Sequence, residues 1–218
     1  MNLKEQLKAK RMELESGRDK TQTEVMRHAT EQLIREGIGN SALEVSDEIP
    51  SFGLPNVRGQ LVEIKDLLKN GPIILTFYRG SWCPYCNLEL RAYQQNIEEI
   101  KALGAQLIAI SPELPDSSLS NAEKLALEFE VLSDFGNVVA RNFGLVFKMS
   151  EEWIDVFRQL DSDFTAYNGD DTWELPVPAA YVVSSDSKIV FSYVNANYLE
   201  RADPQQVVAA LTELSEKT

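Results

Sequence analysis

Cys83 and Cys86 stand three residues apart in the segment Arg79-Gly80-Ser81-Trp82-Cys83-Pro84-Tyr85-Cys86, and they are the only cysteines of the chain. The segment follows a short apolar run, Pro72 to Tyr78, that reads as a buried strand, and it leads into a helical pattern opening near Pro84. Cys83 therefore falls at a helix N-terminus. Unpaired backbone N–H groups and the helix dipole favour a thiolate there, and Pro84 suits the first turn because its missing N–H costs no helical bond. Cys86, on the same face of the helix, is near enough to close a disulfide. The chemistry implied is thiol redox chemistry: Cys83 attacks, and Cys86 resolves the intermediate.

Two other readings of the pair remain. Buried cysteines pack as small hydrophobes, and a zinc site would use thiolates. Zinc asks for four ligands, however, and the chain offers one histidine, His28, far from the pair in sequence. The redox reading needs no cofactor and no metal, and sulfurs that point away from each other, or are sealed from solvent with no route in, would overturn it. Three neighbours can tune the pair. Arg79 can stabilise a thiolate or a peroxide oxygen, or form a surface ion pair. Ser81 can donate a hydrogen bond or serve the turn. Trp82 is placed to cover the dithiol and shape access to it.

The elements that must position this segment follow from periodicity and punctuation. Residues 1–36 read as a helical hairpin, with Leu3, Leu7 and Leu14 on the first helix, Gly17 ending it, and Thr21 with Glu24 as a capping box for the second. Its apolar stripe is expected to pack on the body or on a second subunit, which leaves a homodimer open. We divide the chain into an extension, 1–40, and a body, 41–218. After a loop-rich entry come the strand at 72–78, one helix from 84 to 103, a strand at 105–110, a helix at 118–129, a short strand at 131–133 and a helix at 137–143 ended by Gly144. A helix at 150–160, a polar loop at 161–175, a hairpin of strands at 180–184 and 188–193, and a helix at 204–214 complete the body. Alternating strands and helices followed by a hairpin imply an α/β fold, a mixed sheet with helices on both faces. In the 161–175 loop, Trp173 and Gly169-Asp170-Asp171 either line the entrance to the dithiol or form a solvated loop anchored by one aromatic.

Composition narrows the function classes. The net charge is −13, with the first 36 residues at +1 and the remainder at −14, so the body repels phosphate backbones and anionic lipid; neither nucleic acid nor a membrane surface is an expected partner. No stretch approaches the roughly 20 apolar residues of a membrane span, and the first residues lack the apolar core of a secretory signal. With so few cysteines the expectation is a cytoplasmic protein whose thiols are reduced by default.

From about Ile49 to Leu211 the chain resembles the alkyl hydroperoxide reductase/thiol-specific antioxidant (AhpC/TSA) superfamily, and within it the peroxiredoxin-like proteins that carry a C-P-Y-C dithiol. The segments that carry the resemblance are PSFGLPNVRGQLVEIKDLLKNGPIILTFYRGSWCPYC, LIAISPE, LSDFGNVVARNFGLVF and NGDDTWELPVPAAYVV, in that order. The resemblance implies a thioredoxin-like fold, Cys83 as the peroxide-attacking cysteine and Cys86 as a resolving one. It is not complete. Peroxiredoxins place a proline and a threonine ahead of the attacking cysteine where this chain has Thr76 and Gly80, and they supply an arginine from the stretch matching Pro176 to Tyr181, where this chain has none. With the usual donors gone, Ser81 and Arg79 are the residues placed to substitute. Pro178 matches instead the cis-proline that faces the dithiol in thioredoxins, which predicts a cis Val177–Pro178 bond.

These features support three functions. A thiol-dependent peroxidase would reduce a peroxide at Cys83, close the Cys83–Cys86 disulfide, and be reduced by an external thiol donor such as thioredoxin or glutaredoxin. A thiol–disulfide oxidoreductase would form a mixed disulfide with a protein substrate. A redox-sensing module would use a single oxidation to change a binding surface.

Overall fold

The computed structural model describes residues 1–162 and 164–216. In chain order the elements are α1 (Leu3–Ser16), α2 (Lys20–Arg35), β1 (Gly53–Pro55), β2 (Leu61–Glu63), α3 (Ile64–Leu68), β3 (Ile73–Phe77), α4 (Pro84–Gln95), α5 (Ile97–Ala102), β4 (Gln106–Ser111), α6 (Pro115–Leu125) and β5 (Glu130–Ser133). They continue with α7 (Val138–Asn142), β6 (Val146–Lys148), α8 (Glu151–Gln159), α9 (Thr165–Asn168), β7 (Glu174–Pro176), β8 (Ala179–Val183), β9 (Ile189–Val194) and α10 (Pro204–Ser215).

The central sheet has the strand order β5-β4-β3-β8-β9. β3, β4 and β5 run parallel, from Ile73 opposite Gln106 to Phe77 opposite Ile110 in the first pair. β8 lies antiparallel to β3, and β9 antiparallel to β8. β3 is thus the middle strand, and all five of its residues are buried. Its side chains alternate between two cores, as a pleat requires. Ile73, Leu75 and Phe77 face the larger core; Ile74 faces a smaller one shared with Tyr93 of α4, Ile97 and Ile100 of α5, and Val207 and Leu211 of α10. This is the expected mixed sheet between helical layers.

Several local expectations are corrected by specific side chains. The single helix expected from 84 to 103 is two helices broken at Asn96. The Asn96 amide donates back to the Ala92 carbonyl at 2.7 Å and accepts from Gln205 of α10 at 2.8 Å, so this side chain competes with the backbone and turns the chain. α2 is capped by Asp19, whose carboxylate accepts from the Thr21 N–H at 2.7 Å, not by the Thr21–Glu24 box; Asp is the stronger cap and starts the helix earlier. A reciprocal capping box does exist, at Asn2 and Glu5 of α1. The helix expected at 118–129 opens instead at Pro115 and stops at Ala126, which adopts a left-handed conformation. The loop at 161–175 contains α9 and the first residues of β7, which pairs with β6 in a small antiparallel sheet.

The N-terminal hairpin packs on the body. Leu3 and Leu7 of α1 and Met26, Ala29 and Leu33 of α2 join the main core. α1 lies against α4 and α2 against α8, so the hairpin covers the face of the molecule that carries the cysteine helix.

Candidate active site

β3 delivers the chain to the sheet end at Phe77, and Tyr78 continues the strand direction by donating its N–H to the Ile110 carbonyl at 3.0 Å. Arg79 to Trp82 form the turn, and Cys83 is the N-cap residue of α4, with extended backbone angles and Pro84 in the first helical position. Cys86 follows one turn later on the buried stripe that also holds Glu89, Leu90 and Tyr93. The two cysteines are not disulfide-bonded.

Each sulfur has its own guanidinium. Arg79 donates from Nη2 to the Cys83 Sγ at 3.2 Å. Arg201, from the connection between β9 and α10, donates from Nη2 to the Cys86 Sγ at 3.5 Å. Arg79 is held by ring faces: its guanidinium carbon lies 4.0 Å from the Tyr198 ring centroid and 5.2 Å from that of Trp82. Burial by itself would push the Cys83 thiol up. The hydrogen bond from Cys86 and the charges of Arg79 and Arg201 outweigh it and hold Cys83 well below the ordinary cysteine value. Burial pushes Cys86 the other way, reinforced by the hydrogen bond to Cys83 and by the negative charge there. The leading sulfur is thus the more acidic of the two, the division expected of an attacking and a resolving cysteine.

Ser81 does not reach a sulfur. Its hydroxyl donates to Glu113 Oε1 at 2.6 Å, while its carbonyl accepts from Asn87 of α4 at 2.8 Å, so Ser81 fastens the turn to the β4–α6 connection. Burial raises the Glu113 carboxyl to about 7, against the hydrogen bonds from Ser81 and with help from the Cys83 charge. Trp82 packs on Arg79, the residue that donates to the Cys83 sulfur. Its ring stacks on Phe164 at 4.5 Å between centroids and meets Phe157 edge-on at 5.6 Å. The 161–175 loop therefore contributes to the cover through Phe164, while Trp173 supports Phe164 from behind at 4.9 Å.

The predicted cis bond at Val177–Pro178 is not found: the chain has no cis peptide bond among the described residues. Pro178 is buried just before β8, at the sheet end where β3 leads into the cysteine turn. The chain reaches it already extended along β7, with the Val177 N–H donating to the Leu145 carbonyl at 2.7 Å, and the trans form keeps its ordinary preference.

Both cysteines have no accessible surface. Their cover consists of side chains: Trp82 on one side, and Tyr85 with Tyr198 on the other, their rings 5.7 Å apart. Beyond each cover is a cleft. One of about 490 Å³ borders Ser81 and Trp82, with Asn121, Lys124 and Tyr167 opposite. The other, about 200 Å³, lies between the N-terminal hairpin and the Tyr85–Tyr198 pair, edged by Arg11, Arg18 and Arg27. Neither cleft is lined by Cys83 or Cys86, so the open route to solvent that the redox reading asks for is not found at either, and access to the sulfurs requires movement of the covering side chains. No group of three or more His, Cys, Asp or Glu that could hold a metal ion occurs among the described residues. His28 is exposed on α2.

A family model for the AhpC/TSA family matches residues 45–192, which include the cysteine turn, Glu113 and β8. The chain belongs to the AhpC/TSA family. Peroxiredoxin Bcp of Escherichia coli (strain K12) is 30% identical over 103 residues, 47% of this chain and 65% of that protein, so the match spans just under two thirds of its curated relative. Among solved structures, Peroxidoxin BcpB from Mycobacterium tuberculosis shares the fold with a TM-score of 0.63 at 19% identity, over 79% of this chain and 98% of that one. A peroxiredoxin-like protein from Aquifex aeolicus gives a TM-score of 0.63 at 16% identity, covering 79% of this chain and 88% of that one. The family match begins after the N-terminal hairpin and ends before Tyr198 and Arg201, so the second guanidinium and one of the two covering tyrosines lie outside it.

Four residues of this site escape a reading of the sequence. Arg201 is 115 positions from the sulfur it meets, and nothing local marks it. Tyr198 is equally silent. Glu113 stands in the quoted LIAISPE segment, and its burial could be suspected from the apolar strand before it. Glu89 leaves the clearest trace, a carboxylate inside the apolar stripe that Cys86, Leu90 and Tyr93 define on α4.

Proposed function

We propose that the chain is a thiol-dependent peroxidase that cycles Cys83 and Cys86 between dithiol and disulfide. The observation that carries this reading is the Arg79–Cys83 contact at the head of α4, with a protonated Cys86 one turn behind. The Cys83 thiolate attacks one oxygen of the peroxide, the O–O bond breaks, and the other oxygen leaves as hydroxide or an alkoxide, which takes a proton from solvent to become water or an alcohol. Charge develops on the leaving oxygen, and donors aimed at it lower the barrier. Arg79 Nε and Nη1 and Trp82 Nε1 are buried with no hydrogen-bond partner among the described residues, and we assign them that role. They replace the threonine and arginine donors that the resemblance places in peroxiredoxins at the positions held here by Gly80 and within the stretch Pro176 to Tyr181. Cys86 then displaces hydroxide from the Cys83 sulfenic acid, and an external dithiol of the thioredoxin or glutaredoxin class reduces the disulfide. We place this cycle in a reducing cytoplasm, where a thiol donor can return the disulfide to the dithiol.

The competing reading, a thiol–disulfide oxidoreductase with protein substrates, drew on the C-P-Y-C spacing and a cis Pro178. The trans bond removes the second support, and a dithiol beneath Trp82, Tyr85 and Tyr198 suits a small substrate better than a protein. Steady-state assays with hydrogen peroxide, an alkyl hydroperoxide and a protein disulfide, on wild type, Cys83→Ser and Cys86→Ser, decide between them. The expected result is peroxide turnover lost in Cys83→Ser and reduced in Cys86→Ser to a slow reaction that needs excess external thiol. A reduced wild-type protein that leaves both peroxides unconsumed with any dithiol donor refutes the assignment.

A further inference from the structure

Arg201 and Glu89 form an ion pair in the interior: Nε to Oε2 is 2.8 Å, with the side chains 2% and 1% exposed. Such a pair is poor stabilisation. Desolvating both charges costs several kcal/mol per ion, and apolar replacements of similar volume are often neutral or better. The arrangement around Arg201 indicates another use. Nη1 is held by the backbone carbonyls of Tyr198 and Glu200, Nε by Glu89, and the remaining nitrogen, Nη2, points at the Cys86 sulfur. Cys86 and Glu89 sit three residues apart on one face of α4, so the helix presents a sulfur and a carboxylate to one guanidinium.

We propose that Arg201 is a catalytic residue of the disulfide-forming half of the cycle, stabilising the Cys86 thiolate as it attacks, and that Glu89 is the positioning residue that aims it. This deepens the peroxidase reading and rests on it. In the reduced protein the Cys83 thiolate keeps the proton on Cys86. Oxidation turns Cys83 into a neutral sulfenic acid and removes that negative charge, while Arg201 and Arg79 keep theirs. The charge balance at Cys86 then shifts toward thiolate only once Cys83 has reacted. In the step itself the Cys86 S–H bond breaks, the Cys86 Sγ–Cys83 Sγ bond forms and the Cys83 S–O bond breaks. Hydroxide leaves and takes the thiol proton as water. Cys86 supplies the electrons, and no further oxidant is needed. Two guanidiniums thus divide the cycle, Arg79 serving the sulfur that meets peroxide and Arg201 the sulfur that closes the ring.

The test separates the two half-reactions. Reduced protein is mixed with one equivalent of hydrogen peroxide and quenched at intervals, and dimedone-trapped sulfenic acid and disulfide are quantified by mass spectrometry. Wild type is expected to pass quickly to disulfide with little adduct. In Arg201→Met, closure is expected to slow about tenfold or more beyond any slowing of Cys83 oxidation, the loss of a hydrogen bond to a charged group, so adduct accumulates. Arg201→Lys, which keeps the charge but not the fork, is expected to recover part of the rate, and Glu89→Gln to lie between it and wild type. Should Arg201→Met fail to fold, the pair Glu89→Gln/Arg201→Met removes both buried charges together and carries the same expectation. Closure at the wild-type rate in either folded variant, or equal slowing of both steps, overturns the proposal. If wild type forms neither adduct nor disulfide, the peroxidase reading fails, and closure is read from a second arm. There Cys83 is loaded as a mixed disulfide with thionitrobenzoate, and Cys86 attack releases the coloured thiol. The same ranking of variants is expected, and no ranking there overturns the role of Arg201 independently.

Discussion

Gly80 occupies the position where peroxiredoxins carry a threonine, and its geometry explains why this chain cannot. Its φ is +147°, a conformation that side chains with a Cβ rarely adopt. A Cβ built there would lie 2.3 Å from Trp82 Nε1, 2.8 Å from Trp82 Cδ1 and 3.0 Å from Glu113 Oε1. For Gly80→Ala the backbone strain costs about 1–3 kcal/mol. Displacing the indole from its stack on Phe164 adds an overpacking cost of about 1–3 kcal/mol. The expected loss is therefore about 2–6 kcal/mol by urea denaturation, together with a changed tryptophan emission and faster alkylation of Cys83 by iodoacetamide in the folded protein, because the displaced ring is its cover. Gly59→Ala is the control. Its φ is +73° and nothing lies within 4 Å of the added Cβ, so only the left-handed backbone cost, about 1–2 kcal/mol, applies and Cys83 reactivity stays unchanged. Gly80→Thr adds a branched side chain to the same clash and is expected to be worse than Gly80→Ala, not a restoration of the missing donor. A Gly80→Ala protein as stable as wild type, with Trp82 emission and Cys83 reactivity unmoved, would refute the argument that Gly80 exists to let Trp82 close over the dithiol.

Three other outcomes are expected. Replacing Arg79 by Met removes the hydrogen bond and the nearest charge from Cys83; its thiolate absorbance should titrate at higher pH and its peroxide reactivity at neutral pH should fall about tenfold to a hundredfold, with Arg79→Lys between, and an unchanged titration curve contradicts the role given to Arg79. Glu113 is raised from its ordinary 4.5 to about 7 when folded, so the native state binds the extra proton between those values. Its contribution, about 3 kcal/mol, is present below the unfolded value and lost as pH rises through the folded one, and Glu113→Gln should flatten the decline in urea midpoint between about pH 5 and pH 8; a profile identical to wild type excludes this carboxyl as the source. Leu7→Ala and Met26→Ala empty the packing that seats the hairpin over the tyrosine cover; each should cost about 2–5 kcal/mol and speed native-state alkylation of Cys83, whereas lost stability with unchanged alkylation would show that the hairpin does not guard this side of the site.

The local parts of the site were legible before any coordinates. Cys83 at the head of a helix, Pro84 behind it and Cys86 one turn on are decided within a few residues of chain, because capping, proline geometry and helical spacing act over a single turn. The buried middle strand and the closing hairpin of β8 and β9 were readable for the same reason, as runs of apolar residues interrupted by turn residues. Ser81 shows the limit of that reasoning, since a hydroxyl near a sulfur in sequence turned instead to Glu113 of a neighbouring connection.

What no local pattern encodes is which distant group arrives at a given atom. Arg201 reaches Cys86, and Tyr198 lies over Arg79, because the antiparallel pairing of β8 with β3 and of β9 with β8 returns the chain to the cysteine end of the sheet. The sealing of both sulfurs is likewise a consequence of how distant elements pack together. Spacing along the chain sets which groups share a turn of helix. Strand order and packing set the charge, the burial and the access of the two neighbouring thiols.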